Sequence, residues 1–334
     1  MLRDTIIIGA GMAGLQLADE LAKDGQDVVV FEKARGTGGR LSSKRFKTDH
    51  GQWLGFDLGC SGFEANTIAF QQQLKQWQQE GVIVPWVQTE QQGWKYVATP
   101  RNSALTRHLS NGIDCHFSSR ITRIEKTEHW SVYDDSGQCL ASARTLVLTV
   151  PPQQAMDLLP ACSFEGYFNN IVVKPQWVLM LATKALPNNL DAYYHNPSPA
   201  IACISRESSK PGRELNSEGL ECLVIQASAE WSAQHLDDKA QQVYYQLKKE
   251  LESVLGQALP GCEYYAHRWL YSQVDVDNDA MHSQDYWWHN SGLALASDYT
   301  CSRASGVEAA WLAAKSLAQW LSDADVSAAA VGSN

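Results

Sequence analysis

Thr5-Ile6-Ile7-Ile8-Gly9-Ala10-Gly11-Met12-Ala13-Gly14 is the stretch on which the fold turns. An apolar run that stops at a glycine reads as a buried strand. The spacing G-x-G-x-x-G then assigns each glycine a task. Gly9 permits the tight turn, Gly11 lets backbone approach a pyrophosphate, and Gly14 lets the next helix pack against the strand. That helix is predicted over 13–23, where Leu15, Leu17, Ala18, Leu21 and Ala22 make an apolar stripe. Gly25 ends it, and Asp27-Val28-Val29-Val30-Phe31 is a second buried strand. Strand, helix and parallel strand within about 30 residues make a β-α-β unit. Glu32 closes the second strand, where a carboxylate accepts the ribose hydroxyls of a dinucleotide. Met12 and Ala13, at the helix start, belong to the same cradle, because unpaired helical N–H groups there favour phosphate.

Outward from Glu32 comes Lys33-Ala34-Arg35-Gly36-Thr37-Gly38-Gly39-Arg40-Leu41. Adjacent glycines followed by Arg suit a loop that closes on the pyrophosphate from the other side, with Arg40 as a cation. The pattern E-[RK]-x(3–4)-G-G-R resembles flavoproteins of the glutathione-reductase and amine-oxidase type. More narrowly, the chain is similar to renalase-like oxidoreductases of the flavin amine oxidase superfamily. Leu41-Ser42-Ser43-Lys44-Arg45, Trp94 through Pro100-Arg101-Asn102-Ser103-Ala104-Leu105, Thr145 to Pro152 and His267-Arg268-Trp269-Leu270-Tyr271 carry that resemblance. It departs at Asp49 to Cys60, where a D-x-G-A-x-Y-F-T stretch is usual.

The resemblance implies an α/β fold: a Rossmann-type FAD domain interleaved with an α+β substrate domain holding a mixed or antiparallel sheet. The expected division is 1–60, 100–152 and 290–322 for the cofactor, 61–99 and 153–289 for the substrate, and a flexible tail over 323–334. It implies FAD bound by Gly9, Gly11, Met12, Ala13, Gly14, Glu32, Lys33, Gly38, Gly39, Arg40, Leu41, Ile124, Asp298, Gly306 and Val307. Asp298 stands where the family places an acid against the ribityl chain, with Ser297 in place of the usual Gly. The helix starting at Gly306-Val307-Glu308 would steady negative charge on the reduced flavin.

The implied chemistry is hydride transfer from a small-molecule donor to flavin N5, with dioxygen as electron acceptor and hydrogen peroxide as product. Dihydronicotinamide dinucleotides are the implied donors. His267, Arg268, Trp269 and Tyr271 are the substrate-side candidates. Strand alternation puts His267, Trp269 and Tyr271 on one face and Arg268 on the other; a packed domain interface is the competing reading. Two alternatives stay open: an amine oxidase or desaturase-like dehydrogenase with another acceptor, and a flavin- or nucleotide-binding protein without turnover.

The remaining sequence sets bounds. The 334 residues allow two domains, or one large domain with an insertion. A net charge of −10 argues against nucleic acid and anionic membrane as partners. No apolar run reaches the ~20 residues of a membrane span, and the apolar run at Ile6 is too short for a secretory signal. Eight cysteines without C-x-x-C pairing suggest reduced thiols and a cytoplasmic setting, with no metal. Covalent flavin is not expected, although Cys301 lies close to Asp298. Helices are predicted over 66–80, 103–110, 237–255 and 305–321, and a ribbon over 82–98 with turn signals at Pro85 and Gln92-Gly93. Strands are predicted over 113–117, 120–126, 129–134, 144–150, 177–183, 200–204, 220–228 and 293–298. The polar loop 205–219 reads as exposed. Twelve Trp against eight Phe is unusual. Trp53, Trp287 and Trp288 are candidates for walling a flavin, and Trp77, Trp86, Trp94, Trp177, Trp231, Trp269, Trp287 and Trp288, outside the cofactor segments or near their seams, are expected where a flat apolar substrate is held.

Overall fold

A computed structural model of the chain describes residues 1–331 except 90–92, 161–162, 165, 185, 187–189, 214–218 and 277–283. For residue 276 and for 324–331 only the backbone is described. Cys162, Gln92 and the middle of the loop 205–219 therefore lie outside the described residues.

The chain opens as β1 (Leu2–Ile8), α1 (Met12–Lys23) and β2 (Val28–Phe31), then a hairpin of β3 (Ser43–Lys47) and β4 (Trp53–Asp57). Next come α2 (Ile68–Gln79), β5 (Ile83–Gln88), β6 (Trp94–Ala98) and α3 (Ser103–Leu109). Strands β7 (Asp114–His116), β8 (Arg123–Lys126), β9 (Trp130–Tyr133) and β10 (Cys139–Leu148) lead to the short α4 (Pro152–Met156). The middle block holds β11 (Ile171–Thr183), β12 (Tyr193–His195), β13 (Ile201–Arg206), β14 (Glu221–Ala227), α5 (Ala229–Gln234), α6 (Ala240–Leu255) and β15 (Glu263–Val276). The chain returns through β16 (Trp287–His289) and β17 (Leu293–Leu295) to α7 (Gly306–Val331).

Two large sheets result. The first is mixed and eight-stranded, with the path β16-β17-β10-β1-β2-β7 and β8-β9 attached to β10. Its centre is parallel: β1 pairs with both β10 and β2, and β17 joins the far side of β10. Strands of that kind must be apolar on both faces, which is why Ile6, Ile7, Val29, Val30, Leu146 and Val147 are all buried. Helices α1 and α7 cover one face. The second sheet is antiparallel, in the order β12-β13-β14-β11-β15. Its odd and even residues go to different cores, as the pleat requires. Leu179, Leu181, Leu223 and Ile225 meet α6 through Val243, Leu247 and Leu251. Val178, Met180, Cys222 and Val224 meet the β3–β4 hairpin through Leu54, Phe56 and Leu58.

Several expectations change in detail. The helix expected to end at 321 continues to Val331, since its Ala-rich extension holds no Pro or Gly before Gly332 and Ala is the best helix former. The β3–β4 hairpin was not foreseen, because its strands SKRFK and WLGFD lack clean alternation. The loop 205–219 is not simply exposed: Glu207 and Lys210 are buried.

The tryptophans are also redistributed. Trp77 packs against Phe70 in the first core. Trp177 donates to the His235 carbonyl at 2.9 Å, and Trp130 to the Ser291 carbonyl at 2.9 Å. Trp287 is edge-on to Tyr167, Phe168 and Tyr299. Trp53 is 59% exposed. Large aromatic surface fills separate cores here and does not collect in one cage.

Candidate active site at the junction of the two sheets

The cradle is built first by β1 and α1. Gly9 has φ +113°, and its N–H donates to the Phe31 carbonyl at 2.9 Å. A Cβ on Gly14 would stand 2.0 Å from the Gly9 carbonyl oxygen, so only glycine lets α1 pack this close. Gly11 differs: a Cβ there would meet nothing within 4 Å. The space beside Gly11 is open and faces the start of a twelve-residue helix. That first turn has no acidic residue and no side-chain cap. Met12 and Ala13 are buried on the core side of the turn.

The second glycine loop closes on the first. The Gly38 N–H donates to the Ala10 carbonyl at 2.9 Å, and a Cβ on Gly39 would lie 3.5 Å from the Gly11 Cα. Gly38 and Gly39 both have positive φ, at 136° and 52°. Leu41 is buried beneath them. Glu32 sits where β2 ends. Its carboxylate accepts from the Ala10 N–H at 2.8 Å and the Ala34 N–H at 2.7 Å, so the acid is fixed beside the cradle. Lys33 reaches Gln154 at 2.8 Å, and burial pushes its ammonium below the usual range. Ile124 is buried in the second core of the same sheet. Two glycine loops, a bare helix start and a fixed carboxylate fit an adenine dinucleotide.

Arg40 and Asp298 come together as each other's partners. The guanidinium forks onto both carboxylate oxygens, at 2.5 and 2.6 Å. Asp298 opens a short 3-10 turn after β17, and Arg40 ends the glycine loop, so the pair ties the first and last thirds of the chain. Arg40 also donates to the Ser272 carbonyl of β15 at 3.3 Å. The second sheet therefore meets the cradle at this point. Gly306 begins α7, but the buried Glu308 in its first turn is already engaged, accepting from the Asn66 and Thr67 N–H groups at 2.9 and 2.7 Å. Val307 packs against the first core.

His267, Arg268 and Trp269 divide as the alternation requires, and the register of β15 shifts just beyond them, at 270–272. The Trp269 indole donates to the Leu58 carbonyl at 3.2 Å, and His267 sets its ring edge-on at 4.9 Å. Burial, with the Lys44 charge second, pushes the His267 imidazole below its usual range. Tyr271 is half-buried next to Ser272. Arg268 is on the other side, donating to the Leu236 carbonyl and stacking over Trp177. It is not brought together with His267 and Trp269, which touch each other.

A buried ion cluster beside this junction had no sequence signal. Asp57, at the end of β4, receives Lys210 at 2.9 Å and Arg213 at 2.5 Å. It also receives the Asn102 N–H at 2.9 Å. Glu207 pairs with Lys210 and accepts the Asp57 N–H at 3.0 Å. Burial alone would push the Asp57 carboxyl up, but Lys210, Arg213 and the Asn102 amide outweigh it and hold it below its usual range. Burial pushes Glu207 up. The next residues, Leu58 to Cys60, lie directly on the glycine loop. Cys60 N–H donates to the Arg40 carbonyl at 2.9 Å, and a Cβ on Gly59 would be 2.2 Å from that oxygen.

Among the described residues, no group of three or more His, Cys, Asp or Glu side chains is arranged to hold a metal. No described helix is long and apolar enough to cross a membrane.

Comparison with known proteins agrees with this architecture. Residues 7–77 match the NAD(P)-binding Rossmann-like domain family. A zeta-carotene-forming phytoene desaturase from Myxococcus xanthus is 46% identical over 57 residues. That is 17% of this chain and 10% of the desaturase. Solved structures match nearly end to end. A protein assigned as protoporphyrinogen oxidase from Exiguobacterium sp. 255-15 aligns with a TM-score of 0.74 at 10% identity, over 96% of this chain and 98% of that one. A triple-mutant putrescine oxidase with redesigned cofactor binding aligns at 0.69 and 12% identity, over 98% and 99%. At these identities the likeness establishes the fold, an α/β protein with a Rossmann-like domain and a mixed sheet.

Proposed function

We propose that the protein is an FAD-dependent oxidoreductase of the amine oxidase and desaturase kind, acting on a small-molecule donor. The observation that carries this is the open space at Gly11, enclosed by the Gly38–Gly39 loop, the α1 start and Glu32. In this reading residues 1–60, 100–152 and 290–322 form the cofactor domain, and 61–99 with 153–289 form the substrate domain. Gly9, Gly11, Met12, Ala13 and Gly14 hold the pyrophosphate and Glu32 the adenosine ribose. Lys33, Gly38, Gly39, Leu41 and Ile124 complete that end, while Arg40, Asp298, Gly306 and Val307 lie toward the flavin. Bound FAD supplies a two-electron acceptor for a hydride released from a donor C–H bond.

The chain's own part is to orient the donor and exclude water. His267 and Trp269 present one face of β15, the strand reaches Arg40 through the Ser272 carbonyl, and Tyr271 lies between them in the chain. A neutral His267, with its imidazole held below the usual range, adds no charge to that face. The renalase-like reading names dihydronicotinamide dinucleotides as donors and dioxygen as acceptor. Anaerobic mixing tests it: dihydronicotinamide isomers bleach the flavin, and readmitted air restores the colour with formation of hydrogen peroxide. Bleaching by amines alone would move the protein to the amine oxidases.

A further inference from the structure

The second sheet turns a row of neutral polar side chains toward Arg40. Elsewhere its hairpin-facing side is mainly apolar: Val178, Met180, Ala182, Cys222 and Val224. The polar groups gather at one end. Cys203 of β13 donates to Gln226 of β14 at 3.1 Å, and Gln226 donates to the Gly59 carbonyl. The Tyr193 phenol of β12 lies beside Cys203 and Ser61. Gln176, at the β11 bulge, accepts from the Ser272 hydroxyl at 2.9 Å. The Ser272 carbonyl receives Arg40. The row thus runs across the sheet from Tyr193 to the Arg40–Asp298 pair.

The charges bordering this row are matched. Arg40 is forked onto Asp298, Lys210 and Arg213 onto Asp57, and Lys95 onto Glu64 at 2.6 Å. Burial pushes the Cys203 thiol up to about 11 and the Tyr193 phenol upward. Both stay protonated and uncharged at neutral pH, the thiol hydrogen already given to Gln226. A cationic amine or a carboxylate entering here would lose its hydration with no spare counter-charge beside it. A neutral molecule with an amide or ring N–H edge loses little and finds hydroxyl, thiol and amide partners.

We propose that Tyr193, Cys203 and Gln226 bind the electron donor and that the donor is uncharged where it meets them. This rests on the flavin reading and assigns its substrate wall. The test uses the flavin-loaded chain, with Tyr193→Phe and Cys203→Val as variants and Cys203→Ser as the conservative control. Loss of one hydrogen bond corresponds to about a tenfold change in binding. The KM for a dihydronicotinamide is expected to rise about tenfold in Tyr193→Phe and Cys203→Val, with kcat changed less and flavin content unchanged. Cys203→Ser is expected to recover most of the loss. Calorimetry with nicotinamide, a neutral amide, should show the same weakening, and putrescine should give no binding heat. Unchanged KM and nicotinamide affinity in both variants of a flavin-loaded protein would overturn this inference alone. Putrescine binding as tight as nicotinamide would overturn the neutrality claim. A protein that takes up no flavin overturns the functional reading and the inference together.

Discussion

Lys210→Met lowers the stability of the folded chain by about 3–5 kcal/mol, the cost of breaking a buried ion cluster from one side. Lys210 and Asp57 are both fully shielded from solvent. Removing the ammonium leaves Asp57 with Arg213 and takes from Glu207 the cation it pairs with. A buried carboxylate without a partner cannot recover its hydration, so the loss exceeds that of any surface pair. The expected reading is a fall in melting temperature of roughly 5–10 °C. The double variant Asp57→Asn with Lys210→Met keeps the charges balanced and is expected to lose less than either single change, because neighbouring charges couple. A Lys210→Met protein within about 1 kcal/mol of the parent would show that the cluster is not the tie described here.

The second large effect separates binding from folding within one turn. In Gly14→Val, any Cβ starts 2.0 Å from the Gly9 carbonyl oxygen, and neither α1 nor β1 can move without opening the first core. Little folded protein is expected. In Gly11→Val the new side chain enters open space, so the chain is expected to fold while the space proposed for the pyrophosphate is filled. Circular dichroism and thermal melting should be near the parent's in Gly11→Val, with cofactor content lost. Full cofactor occupancy in a folded Gly11→Val protein would remove the cradle from the account.

These two cases also mark what a sequence makes readable. The Gly9–Gly14 turn was legible because its geometry depends on residues adjacent in the chain, with Gly9 at positive φ and Gly14 against the Gly9 carbonyl. Glu32 was legible for the same reason, since strand length fixes its place. Helices α1, α2 and α6 followed from apolar spacing alone. The Asp57 cluster was not legible. Lys210 and Glu207 sit in a polar loop, and their partner Asp57 lies about 150 residues earlier. No periodicity encodes a contact that only the packing of the hairpin on the second sheet creates. The tryptophans misled for a related reason. Trp77 lies in the first core against Phe70 and Trp177 is placed by a carbonyl far away in the chain, so the number of tryptophans said little about where a substrate is held. Arg40 and Asp298 were each assigned to the cofactor separately, and only the structure shows them as a pair.

FAD is proposed to occupy the Gly11 space. Denaturing the protein purified after expression with ample riboflavin, and identifying the released small molecule by mass, tests it most directly. FAD in near-equal amount to the chain is expected, with a yellow protein before denaturation. A colourless protein that releases no dinucleotide, and that takes up none when FAD is added during refolding, would contradict it.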